Sequence, residues 1–181
     1  MHGLVNRAIE DMATKAGGKG CWQAICKKAN VNETSFLSMK DYPDEVTYSL
    51  VGAASEMLEQ PSEEILRAFG KHWILFTAQE GYGDLMALSG SDLKSFLQNL
   101  NRMHGQVAAS MPDLTPPQFS VEEIGEQRFR IHYQSTRQGL APMVIGMLEG
   151  LVQRFDLTAD IEHVESREAE TNHEVFEIAI C

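Results

Sequence analysis

The apolar residues of this chain keep one period up to about residue 110 and another beyond residue 117, so a fold of helices alone or strands alone is excluded. In the first stretch they recur at three- and four-residue steps, which gathers side chains on one face of an α-helix. Leu4, Val5, Ala8, Ile9 and Met12 form one such face before Gly17-Gly18, and Trp22, Ile25 and Cys26 form another over residues 21–29. After Pro43 come Val46, Leu50, Val51, Ala54, Met57 and Leu58. Pro61 suits a first helical turn, and Glu63 and Glu64 favour the positive end of a helix carrying Leu66, Phe69, Trp73 and Phe76 as far as Gly81 and Gly83. Beyond Pro112-Asp113 and Pro116-Pro117 the period falls to two. Residues 118–122 and 128–135 alternate around Gly125-Glu126, and residues 158–167 and 174–180 around Glu170-Thr171-Asn172, as paired strands do. Between the hairpins, residues 139–154 form an apolar helix in which Gly146 and Gly150 permit close packing. The expected fold class is α+β: a mainly helical N-terminal part packed with a four-stranded antiparallel sheet plus one helix.

A length of 181 residues suits a single domain over 1–181. The net charge of -11 argues against nucleic acid or an anionic membrane surface as partner. No apolar run is long enough to span a bilayer, and Met1-His2-Gly3-Leu4 lacks the features of a signal peptide. Cys21, Cys26 and Cys181 form no CxxC or CxxCH motif, so they are expected to be reduced, in a cytoplasmic protein.

The chemistry gathers around residues 92–110, read as one helix capped by Ser89 or Ser91. Its stripe is Leu93, Phe96, Leu97, Leu100, Met103 and Val107, and His104 falls on the edge of that stripe, directed inward beside Gly105. Such a histidine is either a core residue bonded to a backbone carbonyl or a ligand. The second hairpin strand then puts Tyr133, Ser135 and Arg137 on one face with Phe129 and Ile131. Their hydroxyls and guanidinium can clamp one or two carboxylates or a phosphate, unless Arg137 instead pairs with an acid such as Asp44 or Glu45. A helix-borne imidazole facing an apolar pocket with a dianion clamp at its mouth is what a non-covalently held haem requires, iron on the imidazole and propionates on the clamp.

At this point the chain resembles the haem-nitric oxide/oxygen binding (H-NOX) domains, which include the sensory domain of soluble guanylate cyclase. The resemblance is carried by Met1-His2-Gly3-Leu4-Val5-Asn6, the stretch Val46-Thr47-Tyr48-Ser49-Leu50-Val51-Gly52-Ala53-Ala54-Ser55, Ala68-Phe69-Gly70, and Glu80-Gly81-Tyr82-Gly83. It continues through Leu97-Gln98-Asn99-Leu100 leading to His104, and His132-Tyr133-Gln134-Ser135-Thr136-Arg137 followed by Gly139-Leu140. The resemblance implies haem b held non-covalently, with His104 as proximal iron ligand and Tyr133, Ser135 and Arg137 on the propionates. It also implies that Pro117 presses on the porphyrin and that Val5, Trp73, Leu140 and Met143 line the distal side. Residues 1–60 become the distal part of the domain and residues 61–181 the proximal part.

Oxygen-binding members of the family place a tyrosine five residues past the clamp arginine, where this chain has Pro142. Bound oxygen is strongly polarised and needs a nearby hydrogen-bond donor, whereas nitric oxide does not. The resemblance therefore implies a sensor of nitric oxide, also binding CO, that excludes oxygen unless the Trp73 indole donates. It implies signalling by release of His104 and movement of its helix about residues 110–117, toward a histidine kinase or cyclase partner. The alternatives are an oxygen-binding member or a non-catalytic haem carrier. An enzyme is disfavoured: no distal His and Arg pair suits a peroxidase, and no GxSxG suits a hydrolase. His2, His72, His132, His163 and His173 are scattered and read as surface or supporting residues, with a metal site joining His163 to His173 across the last hairpin as a rival reading.

Overall fold

Helix α1, Gly3–Lys28, bends where Gly17 and Gly18 leave helical conformation, Gly18 at φ 74°, so the two expected helices are present as one kinked element. The structure, a computed structural model, describes residues 1–109, 115–166 and 173–181. Helix α2, Asp44–Leu58, and helix α3, Ser62–Thr77, each follow a proline and carry two acids in the first turn, matching the helix dipole. Helix α3 ends at Thr77, and the backbone leaves helical conformation at Gly81, φ 94°, as expected. A π-helical turn, Ala78–Tyr82, leads into a further short helix, α4, Gly83–Ser89.

The helix read as continuous over 92–110 is two elements, α5, Leu93–Gln98, and α6, Leu100–Ala109. Asn99 separates them at φ -94° and ψ 1°. The cap is neither Ser89 nor Ser91 but Asp92, whose carboxylate accepts from the Ser95 N–H at 2.8 Å. Ser89 instead donates its hydroxyl to the Leu85 carbonyl, at the end of α4.

The C-terminal part contains β1, Gln118–Gly125, β2, Arg128–Gln134, α7, Ala141–Arg154, β3, Ala159–Glu165, and β4, His173–Ile180. The four strands form one antiparallel sheet in the order β1-β2-β4-β3. Register sets Ile131 opposite Phe176 and Phe129 opposite Ile178, and this face packs under Val144, Leu148 and Leu151 of α7. The other face carries polar pairs such as Arg130 with Glu177. Pro112-Asp113 and the turn Glu170-Thr171-Asn172 lie outside the described residues. No helix among the described residues is long and apolar enough to cross a membrane.

Two apolar cores meet on α3. Ile65, Phe69 and Phe76 pack with α1 and α2, while Ile74 packs with α5, α7 and the sheet. The close crossing of α3 and α7 depends on glycine. A Cβ on Gly146 would lie 1.9 Å from the Arg67 carbonyl oxygen, and one on Gly70 would lie 2.1 Å from that of Met143. Backbone cannot yield locally to such an atom, so the helices would have to part. Gly146→Ala should therefore destabilise the protein by about 1–3 kcal/mol, the usual range for overpacking, read from the midpoint of urea unfolding. An unchanged midpoint would show that the crossing tolerates a wider spacing.

Candidate functional site

Between the helical part and the sheet lies a cavity of about 250 Å³, walled mainly by aliphatic, methionine and aromatic side chains. It gathers His104 and Pro117, then Tyr133, Ser135 and Arg137, then Val5, Trp73, Leu140 and Met143. Of the residues singled out from the sequence, Pro142 alone is absent from its wall. Pro142 does stand in the first turn of α7, but its neighbour Met143 is the one that reaches the cavity. Successive residues on a helix point about 100° apart, which is why these two neighbours differ in reaching the cavity.

His104 sits on the second turn of α6. Its Nδ1 lies 2.9 Å from the Leu100 carbonyl oxygen, one turn back. With the Nδ1 proton spent there, Nε2 carries the lone pair, which is the tautomer that ligates metals. Burial holds the imidazole below its ordinary pKa, with the Leu100 bond acting in the opposite sense, so the ring is neutral near pH 7. The two possibilities left open by the sequence thus coexist: the carbonyl bond of a core histidine is what orients a ligand. Gly105 plays no part in a close approach, since a Cβ there would meet nothing within 4 Å.

Tyr133 is buried near the end of β2, but Ser135 and Arg137 lie beyond the strand. They reach the cavity through a turn in which the Arg137 N–H donates to Ser135 Oγ at 3.1 Å. The guanidinium is fixed by Asp44 Oδ2, 2.9 Å from Nε, and by the Thr115 carbonyl, 3.1 Å from Nη1. The Met1 ammonium lies 2.5 Å from the other Asp44 oxygen. Burial works to raise the Asp44 pKa, but the Met1 ammonium and the Arg137 guanidinium outweigh it and hold the carboxyl below its ordinary value. Two cations around one carboxylate leave a net positive charge at this wall, suited to an anion. The pairing of Arg137 with Asp44 is therefore real, and it braces the clamp.

Sequence reasoning missed two wall residues. Phe119 stacks on His104 with centroids 5.6 Å apart and planes at 17°, and its ring also touches Tyr133 at 5.3 Å. Its place two residues past Pro117 gave a signal of core packing only. Tyr82, from the π-helical turn, brings a phenol to the cavity. Neither the Tyr82 hydroxyl nor the Trp73 indole N–H donates to a described residue. A His163–His173 pairing is not formed. The regular register of β3 on β4 sets His163 opposite Phe176, and its Nε2 lies 2.7 Å from Glu174 Oε2. His173 stacks on His132 from the outer face, Nε2 to Nδ1 at 2.9 Å. Among the described residues no group of three or more His, Cys, Asp or Glu side chains is placed to hold a metal ion.

The chain matches the family described as Haem-NO-binding over residues 2–163 and belongs to it, the haem-binding gas-sensor domains of the H-NOX type. It is 28% identical over 188 residues to soluble guanylate cyclase gcy-35 of Caenorhabditis elegans, covering 98% of this chain and 27% of that protein. It is 33% identical over 93 residues to guanylate cyclase soluble subunit beta-2 of Rattus norvegicus, covering 51% of this chain and 14% of that protein. The chain thus spans about a quarter or less of these relatives, and the part covered is a sensory domain, not a catalytic one. Its fold is that of an H-NOX protein from S. oneidensis in the Fe(II)NO ligation state, with TM-score 0.90, 21% identity and coverage of 100% of this chain and 99% of that one. It is also that of an oxygen-binding H-NOX domain related to soluble guanylate cyclases, in its oxygen complex, with TM-score 0.84, 18% identity and coverage of 99% and 95%. One fold occurs with either gas, so the choice between them rests on side chains.

Arg137→Ala should release haem faster than Ser135→Ala, because a charge-assisted fork contributes more than a neutral hydroxyl. Transfer of haem to excess apomyoglobin measures both rates. Equal retention in parent and Arg137→Ala would confine Arg137 to its bond with Asp44.

Proposed function

We propose that this chain is a nitric oxide sensor that holds haem b non-covalently. His104 is the iron ligand, and Tyr133, Ser135 and Arg137 engage the propionates. The observation that carries this reading is the His104 ring, its Nδ1 spent on Leu100 and its Nε2 left for a cavity that also holds the positively charged Arg137 wall. Haem bound there would supply an iron able to take a diatomic gas. Pro117, on the same wall as His104, presses on the ring, and Val5, Trp73, Leu140 and Met143 surround the gas.

Selectivity follows from what the first turn of α7 lacks. The Met143 thioether donates no hydrogen bond, and Pro142 has neither a hydroxyl nor an N–H. Nitric oxide and CO are held without a donor; oxygen is not. The signal is the departure of His104, which frees α6 to move against the sheet. Such a switch needs two packings of one core, with the gas favouring one of them. A histidine kinase or a cyclase receives the signal, the latter in keeping with the guanylate cyclase relatives. The free thiols Cys21, Cys26 and Cys181 suit a reducing cytoplasm.

A second reading, an oxygen-holding domain, is favoured by the Tyr82 hydroxyl and the Trp73 indole at the cavity wall. Absorption spectra of the ferrous protein in air and under nitric oxide separate the two. The proposal expects an unliganded spectrum in air before slow oxidation, and complete conversion under nitric oxide. A persistent oxygen complex, abolished in Tyr82→Phe or Trp73→Phe, would establish the second reading.

A further inference from the structure

We infer that Asn101 is a positioning residue for His104: a clip that fixes α6 to the free edge of the sheet and opens before that helix can swing. The inference rests on His104 being the iron ligand, as proposed above.

Strand β1 is an edge strand, with β2 on one side and, among the described residues, no strand on the other. An edge leaves backbone N–H and C=O groups without ladder partners. At Phe119 one side chain takes both. Asn101 Nδ2 donates to the Phe119 carbonyl, and Asn101 Oδ1 accepts from the Phe119 N–H at 2.8 Å. A carboxamide holds donor and acceptor side by side as a peptide group does, so Asn101 adds one rung where the strand has no neighbour. Few side chains can do this. Asp lacks the donor, and Gln places the amide one methylene too far out.

The position of this rung gives it consequence. Asn101 stands three residues before His104, so the two share one side of α6 within a turn. The ring of the same Phe119 lies against the imidazole. Phe119 is therefore held to α6 twice, by its backbone through Asn101 and by its ring through His104. On the other side of Asn101 the helix is broken: Asn99 is out of helical conformation, and its side-chain amide turns back to the Ser95 carbonyl at 2.9 Å. Helix α6 is thus a separate element from α5, joined to it through the backbone bonds of Asn99. With a break before it and a rung in its first turn, α6 cannot slide along the sheet while the clip holds. It can move only by pivoting at Asn101 or by opening the clip.

The clip is suited to opening. Asn101 is exposed and borders a polar recess of about 410 Å³ shared with Gln118, Ser120 and Gln134. Water can replace both bonds as they part, so the loss is modest and reversible. A closed clip holds His104 in place and retards its departure.

The test compares haem-loaded parent, Asn101→Ala and Asn101→Asp. The aspartate keeps the acceptor for the Phe119 N–H but sets a carboxylate against the Phe119 carbonyl. Two quantities are read: hydrogen exchange of the Phe119 amide by NMR in the CO-bound ferrous protein, and the rate of His104 release after mixing with nitric oxide, followed by the Soret shift. Asn101→Ala should speed both by roughly tenfold, as expected when a pair of hydrogen bonds is lost, with Asn101→Asp between it and the parent. Because Asn101 is exposed, both variants should fold; should Asn101→Ala fail to, Asn101→Ser with Asn101→Asp carries the same comparison. Faster amide exchange with unchanged release would make the clip structural only and overturn the inference. Parental values for both quantities would show that no clip exists. A parent that takes up no haem would instead overturn the assignment of His104 as iron ligand, and one that keeps its histidine under nitric oxide would overturn the departure of His104 as the signal.

Discussion

The bond from His104 Nδ1 to the Leu100 carbonyl is the interaction on which the cavity's chemistry depends. It selects the tautomer, fixes the ring's rotation about its side-chain bonds, and commits Nε2 to the cavity. It uses a carbonyl of the helix's own first turn, so the ring keeps its orientation relative to α6 wherever α6 goes. Imidazole and helix consequently move as one piece. A change at the ring is a change in the position of a ten-residue helix at the sheet edge.

Around that piece the rest of the fold is comparatively rigid. The opposite wall is built on the crossing of α3 and α7, where Gly70 and Gly146 let backbones touch. Trp73 stands one turn after Gly70, and Met143 supplies the carbonyl that Gly70 approaches, so the crossing itself fixes two side chains of the gas pocket. The N-terminal helices are tied to the clamp by Asp44, which reaches from the start of α2 to Arg137. Disturbing the clamp therefore loosens the contact between helical part and sheet as well as the hold on an anion. Helix α6, by contrast, is held to the sheet edge through Asn101 and the ring of Phe119.

Much of this could be read from the chain, and the failures have local causes. The change of period from 3.6 to 2 gave the α+β class and the β-β-α-β-β order. The break at Asn99 left no mark, because the apolar stripe continues on either side of it and Asn is an ordinary helix residue on the polar face. Helix α4 was hidden because the break at Gly81 lies in a π-helical turn that leads at once into a further short helix. Alternation carried Ser135 and Arg137 onto a strand that ends at Gln134, yet a serine turn returns both to the cavity. Pro142 and Met143 differ by one residue, and only the helix's actual rotation tells which faces the cavity. The partner of His163 depended on the register of β3 on β4, which alternation alone does not fix.

The account stands on His104 being the iron ligand, and the most direct measurement is the ferrous absorption spectrum of His104→Gly, purified with and without free imidazole. The account predicts colourless protein without imidazole, or haem that regains the parental spectrum only when imidazole fills the place of the missing ring. A parental ferrous spectrum from His104→Gly in the absence of imidazole would contradict it.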